Sequence, residues 1–195
     1  MSTLRSFVRS SSCLALLLAV GACYQLPKAR GYEVEVHAGG LADKNPRDVA
    51  IAPVLFVHED TQAPDWALRK AFQKGLVLRR YSPLALEQVD ENLIEASYTA
   101  GRANEDALLE ILVYSWDQSQ WDSRALLNVD LEARLIDPAG SSLDPLWAGR
   151  LVKTFQFTRQ AEITPSQRTR MQKACDEIAA EILAVLPARA AVPGR

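Results

Sequence analysis

The sequence predicts an α+β domain, a mixed sheet in β-α-β-α-β-β-β-α order with helices packed on it. Three observations carry this. Apolar runs of strand length, several rich in Val and Ile, recur at 48–57, 107–116, 125–137 and 146–157. One of them alternates strictly: Leu127, Val129, Leu131, Ala133 and Leu135 fall on one face and Asn128, Asp130, Glu132 and Arg134 on the other. Between and after the strands, apolar residues recur at helical spacing.

The chain opens on a targeting segment, residues 1–22. MSTLRSFVRSSS carries Arg5 and Arg9 and no acid, and the apolar run 13–20 falls short of the roughly 20 residues that span a bilayer. A basic start, a short apolar core and a small-residue end describe a secretory signal peptide. The run closes on Val20-Gly21-Ala22-Cys23. An aliphatic residue, two small residues and a cysteine resemble the lipobox of bacterial lipoproteins. The resemblance implies that the Cys23 thiol is diacylated, that the bond before it is cut, and that the new amino group takes a further acyl chain such as palmitate. The plainer alternative is an ordinary signal peptide cut near Gly21 or Ala22, with Cys23 incidental. Tyr24 stands where an Asp would resemble an inner-membrane retention signal, which points to the outer membrane.

The cysteines then have separate fates. Cys13 leaves with the signal, Cys23 becomes the anchor, and Cys175 remains alone, so no intramolecular disulfide is expected. Loss of Arg5 and Arg9 takes the formal charge from −2 to −4. That balance argues against nucleic acid, which calls for a basic face. Two or more acyl chains give stable membrane attachment where one does not.

Residues 23–47 read as lipid anchor and flexible tether, with Pro27, Gly31, Gly39, Gly40 and Pro46 and few large apolar groups. A coil of this length separates anchor and domain by about 25–30 Å. Within it Tyr32-Glu33-Val34-Glu35-Val36 alternates, and reads either as a short edge strand or, favoured by its flanking glycines, as solvated chain. The domain is placed at 48–186. DVAIAPVLFV (48–57) is a buried strand that Pro53 ends, bulges or bends. In APDWALRKAFQKGL, Ala67, Leu68, Ala71, Phe72, Gly75 and Leu76 mark a helix, with Pro64 near its first turn. A short strand is expected at 76–81. Ser82-Pro83 reads as cap and first turn of a second helix, faced by Leu86, Val89 and Leu93. SYTAGRANED (97–106) reads as a loop, or as a frayed helix end that Gly101 stops. Strands follow at 107–116, 125–137 and 146–157, joined by DQSQWDS and by Asp137-Pro138-Ala139-Gly140. Thr164-Pro165-Ser166-Gln167 forms a capping box. Met171, Ala174, Cys175, Ile178, Ile182 and Val185 make the apolar stripe of the last helix, which Pro187 ends; 187–195 is a loose tail.

A lipobox, a tether, β-α-β-α, then Asp-Ala-Leu-Leu-Glu-Ile-Leu-Val (106–113), Val-Asp-Leu-Glu-Ala-Arg-Leu-Ile-Asp (129–137), a Pro/Gly turn and Leu-Trp-Ala-Gly (146–149) resemble bacterial lipoproteins built on the fold of the TolB amino-terminal domain. That group includes the curli-secretion lipoprotein, lipoprotein activators of peptidoglycan synthases, and a lipoprotein family with a neisserial surface antigen, the last being nearest. The resemblance covers roughly 48–186 and is structural; no catalytic motif travels with it. Ser141-Ser142-Leu143-Asp144-Pro145 is an insertion that lengthens one turn.

Motifs for catalysis, metal or phosphate are missing: there is no C-x-x-C, H-x-x-x-H, G-x-S-x-G or Gly-rich phosphate loop. His37 and His58, the two histidines, read as tether and loop residues rather than a metal pair. Cys175, on an apolar stripe, reads as an inert buried thiol. Asp130 and Glu132 share a face with Asn128 and Arg134, so a solvated sheet face accounts for them without an acid–base role. Trp66 and Trp147 read as core. Tyr114, Trp116 and Trp121 read either as a small core at a strand end or as a partner surface, since such residues anchor interfaces. The sequence therefore predicts a non-enzymatic lipoprotein with no cofactor and no metal. It is held by acylated Cys23 on the periplasmic face of the outer membrane, binding or assembling an envelope protein partner in an export or transport machine, and able to form a homo-oligomer. The alternatives are a lipoprotein regulator of peptidoglycan synthesis and an enzyme of unrecognised type.

Overall fold

The computed structural model describes residues 34–140, 144–157 and 167–191. In order these form β1 (Glu35–Ala38), α1 (Leu41–Lys44), β2 (Asp48–Ile51), β3 (Leu55–Phe56), α2 (Asp65–Leu78), β4 (Ser82–Pro83), α3 (Leu86–Asp90), β5 (Ala107–Asp117), α4 (Trp121–Arg124), β6 (Leu126–Ile136), β7 (Trp147–Gln156) and α5 (Gln167–Ala184). One mixed sheet runs β1-β7-β6-β5-β2-β4, with β3 beside β5 past the end of β2. β1, β7, β6 and β5 are antiparallel neighbours, and β2, β3 and β4 join in parallel. This is the α+β architecture that the patterning predicts.

β6 is the axis of the sheet, and its burial alternates residue by residue. Leu127, Leu131 and Leu135 of β6, Leu109, Ile111 and Val113 of β5, and Trp147 and Leu151 of β7 point to one side. There they meet Leu68, Phe72 and Leu76 of α2 and Ala174, Cys175, Ile178 and Ile182 of α5 in the main core. The two helices lie so close that a Cβ on Gly75 would stand 2.5 Å from Leu183 Cδ1. Among the described residues the opposite face is covered at one end. There Ala50, Ala52, Val89, Leu108 and Ile136 form a second cluster, with Leu84, Tyr98 and Ala100 packed on it.

Two polar devices hold that end. Glu105, 6% exposed, accepts hydrogen bonds from the backbone N–H of Gly101 and Ala103 and from the Tyr98 hydroxyl. Burial, reinforced by the bond to Glu105, pushes the Tyr98 phenol up to about 12. Arg69 is only 2% exposed. Its Nη2 donates to the Ile51 carbonyl at 3.0 Å and stands 2.7 Å from Asp90 Oδ1, tying α2 to β2 and α3.

Several boundaries differ from the sequence expectation. Residues 35–44, read as tether, include a sheet strand and a helical turn: β1 pairs with β7 from Glu35 opposite Arg150 to Ala38 opposite Trp147. The edge-strand alternative was the better reading, because β7 offers an unpaired side there. The strand expected at 76–81 is the end of α2. Leu76 completes the buried Leu68-Phe72-Leu76 stripe, while Val77 and Leu78 are 58% and 77% exposed and face no core. Ser82-Pro83 is strand β4, and the next helix starts at Leu86, not at a Ser-Pro cap. The turn DQSQWDS contains helix α4. The tail is tied as far as Arg189: its N–H donates to the Arg79 carbonyl, its Nε to the Pro46 carbonyl, and the Tyr81 hydroxyl donates to the Pro187 carbonyl. The signal segment, Val20, Gly21, Ala22, Cys23, the capping box at 164–166 and residues 141–143 lie outside the described residues.

Candidate functional site on the open face of the sheet

Beyond the second cluster the outer face of β5, β6 and β7 is polar, and no element among the described residues covers it. Alternation alone sets its composition. Glu110 and Leu112 come from β5, Asn128, Asp130, Glu132 and Arg134 from β6, and Arg150, Val152 and Thr154 from β7. These side chains bond to one another. Arg134 meets Glu132 with two hydrogen bonds, Nε to Oε1 at 2.8 Å and Nη2 to Oε2 at 3.0 Å. Arg150 meets Asp130 in the same way, at 3.0 and 2.9 Å. The Tyr114 hydroxyl donates to Glu132 Oε2 at 2.9 Å, and the Arg150 guanidinium lies 4.5 Å above the Tyr114 ring, within cation–π range. Further along, the Thr154 hydroxyl donates to Asn128 Oδ1, and Asn128 Nδ2 donates to Asp117 Oδ2.

The electrostatics follow from this pairing. Partial burial opposes ionisation of Glu132, but hydrogen bonds from Arg134 and Tyr114 outweigh it and hold the carboxyl below the usual range. Burial first, then the bond to Glu132, raises the Tyr114 phenol. Burial raises the Glu110 carboxyl against the pull of Arg134. Asp130 and Glu132 are thus not a carboxylate pair converging on one point. Each has its oxygens directed at a guanidinium fork. The surface holds two guanidinium–carboxylate pairs beside the Glu110 carboxyl, with Leu112, Tyr114 and Val152 among them.

The sequence-predicted site residues separate. Tyr114 lies on this face. Trp116 and Trp121 do not: they are 7% and 4% exposed and belong to the main core, so they are not partner-surface residues. A β-bulge between Val113 and Ser115 is the cause. It shifts the alternation by one residue, which turns Ser115 outward opposite Asp130 and Trp116 inward opposite Val129. Trp121, on α4, packs against Phe157 with ring centroids 5.3 Å apart. Trp66, expected in the core, is 42% exposed, whereas Trp147 is fully buried as expected. Arg150 was missed, because β7 lacks the clean alternation of β6.

Among the described residues no cluster of three His, Cys, Asp or Glu side chains could hold a metal ion. His37 on β1 and His58 beyond β3 are both exposed. An open groove of about 810 Å³ between α2, α5 and β4 is lined by Lys70, Lys74, Tyr81 and Asp176, with Lys74 and Asp176 paired at 2.9 Å. Cys175 is fully buried, and desolvation, then the Asp176 charge, pushes its thiol up to about 12. In the native protein we expect it to stay unmodified by an aromatic disulfide reagent at pH 8 over the time in which a urea-unfolded sample reacts fully. Native-state labelling within minutes would contradict that burial.

No family model and no curated protein matches the chain. Among solved structures, the PelC dodecamer from Paraburkholderia phytofirmans is similar at 16% identity over 82% of this chain and 99% of that chain, with a TM-score of 0.53. A point variant of the same dodecamer gives 16%, 81%, 99% and 0.52. Lipoprotein GNA1162 from Neisseria meningitidis gives 16% identity over 71% of this chain and 99% of that chain, at a TM-score of 0.43 that is too low to argue from. At these identities the PelC likeness shows the fold alone: a mixed α+β sheet with helices packed on it.

Proposed function

We propose that the protein is a lipid-anchored, non-catalytic assembly component of a bacterial envelope machine, of the TolB-amino-terminal-like lipoprotein group. It is held by acylated Cys23 at the periplasmic face of the outer membrane and serves export or transport. One conjunction carries the reading. Val20-Gly21-Ala22-Cys23 precedes a domain whose polar sheet face ties Glu132 to Arg134 and Asp130 to Arg150, which supports a docking surface over a reaction centre. Self-association is part of the proposal, and the PelC structures that share the fold at TM-scores of 0.52 and 0.53 are dodecamers. The peptidoglycan-regulator alternative loses ground because the chain is already part of the sheet at Glu35. Residues 24–34, even fully extended, reach at most about 40 Å.

The test is membrane fractionation and intact mass in a Gram-negative host. Wild type is expected in the outer-membrane fraction, with a mass that starts at residue 23 and includes acyl chains. Cys23→Ala is expected in the soluble periplasmic fraction or uncleaved. Wild type that is soluble and cut elsewhere would remove the anchor and the reading built on it.

A further inference from the structure

The two edges of the sheet are guarded unequally. The lower part of one edge is β4, two residues long, and Pro83 has no N–H to offer a further strand. Above it the edge is β3, and there Leu55, Phe56 and Val57 are 47%, 42% and 44% exposed. No charge and no proline interrupts them. Three successive half-exposed apolar residues at a bare edge are what a protein that stays solitary avoids. The far edge is β1, where Val36 is 48% exposed. Among the described residues nothing pairs with the outer side of β1 or of β3.

These edges stand in one row of the ladder. Leu55 is opposite Leu112, Leu112 opposite Glu132, Glu132 opposite Arg150, and Arg150 opposite Glu35. β3 runs parallel to β5, while β1 runs antiparallel to it through β6 and β7.

We propose that copies of this chain join edge to edge, β3 of one against β1 of the next, so that the sheet continues antiparallel from copy to copy. The proposal rests on the assembly reading and deepens it by naming the contact. Leu55, Phe56 and Val57 close on the edge that carries Val36. Two different surfaces meet, so the contact is heterologous and either closes a ring or runs on. Because both edges occupy the same row, a rotation about an axis along the strands brings them together with no slip along that axis, which is the condition for closure. Pairing β3 with the partner's β3 in antiparallel would turn one copy end for end, so the two copies would enter β1 from opposite ends. Pairing β3 with β1 requires no reversal, so every copy enters β1 from the same end.

The experiment uses the mature chain carrying Cys23→Ser, with native mass and thiol trapping as readouts. An oligomer of more than two copies is expected, and Phe56→Lys is expected to reduce it to single copies with an unchanged circular-dichroism melt. In the row after Leu55 and Glu35, Phe56 falls opposite Val34 of the next copy. Phe56→Cys and Val34→Cys, each oxidised alone, are expected to give no linked dimer, and mixed, they are expected to give one. Cys175, fully buried, stays out of the trap. A dimer linked through Phe56→Cys alone would overturn the heterologous contact in favour of a two-fold. An oligomer that survives Phe56→Lys would overturn the edge contact and leave self-assembly standing. A monomeric wild type would overturn the contact and self-association together, while the fractionation test of Cys23 remains separate.

Discussion

Trp147→Ala is expected to lower the unfolding free energy by about 3–5 kcal/mol, read as a drop in the urea midpoint at constant slope. Trp147 is fully buried among the sheet and α5. Its ring lies across Gly149, two residues on in the same strand. A Cβ on Gly149 would sit 2.8 and 2.9 Å from ring carbons Cζ2 and Cη2, and 3.5 Å from Ile182 Cγ2. Gly149 therefore makes room for the ring, and Gly149→Ala should cost about 1–3 kcal/mol by pushing it off. In the Trp147→Ala background that cost should vanish, because the clash is gone, and the two substitutions should be strongly non-additive. The indole Nε1 finds no acceptor among the described residues. Trp147→Phe then removes volume but no hydrogen bond, and should fall well short of alanine. Additive effects in the double mutant would show that Gly149 is needed for some reason other than the ring.

That pair was partly legible in advance. Leu-Trp-Ala-Gly marks a strand start with a core tryptophan, and alternation correctly put Leu127 to Leu135 inside and Asn128 to Arg134 outside. A half-buried antiparallel strand writes its environment into every second residue, so pattern and structure agree. Legibility failed where tertiary context overrides local preference. Val77 and Leu78 are apolar and β-branched or bulky, and they read as the start of a strand. They sit at the solvent side of a helix because Leu76 had already filled the last core position. β1 reads as tether although 32–36 alternates, because the flanking glycines favour solvated chain. Its partner, β7, lies more than 100 residues away in sequence.

The candidate site shows the same division. Which residues of β6 share the open face was readable; for Tyr114 the sequence left core and surface both open. That Trp116 turns inward was not, because a single-residue bulge leaves no mark in a sequence of apolar residues. The pairing of Arg150 with Asp130 was hidden too. It depends on the register between β6 and β7, in which Asp130 is opposite Val152 and the bridge runs diagonally to Arg150. Such diagonal contacts are within reach of long side chains.

Asp90→Ala is expected to be more damaging than Arg69→Met, although both break the same ion pair. The Arg69 side chain is 3% exposed and that of Asp90 is 35% exposed. Removing Asp90 leaves a guanidinium in the interior. What remains to it is the Ile51 carbonyl at 3.0 Å and Asp65 Oδ2 at 3.7 Å. An uncompensated buried charge costs about 3–5 kcal/mol. Removing Arg69 instead leaves a carboxylate that reaches water and one carbonyl without its donor, while Met fills much of the vacated volume. That should cost about 1–3 kcal/mol. The double substitution Arg69→Met with Asp90→Ala should therefore be more stable than Asp90→Ala alone, since it withdraws the stranded charge. Urea unfolding of the three variants decides the matter. If Asp90→Ala proves as mild as a surface substitution, Asp65 alone compensates Arg69, and the tie between α2 and α3 is not the ion pair. The consequence reaches the open face, because α3 and the 84–105 segment cover one end of the sheet and so set where the Glu132–Arg134 surface begins.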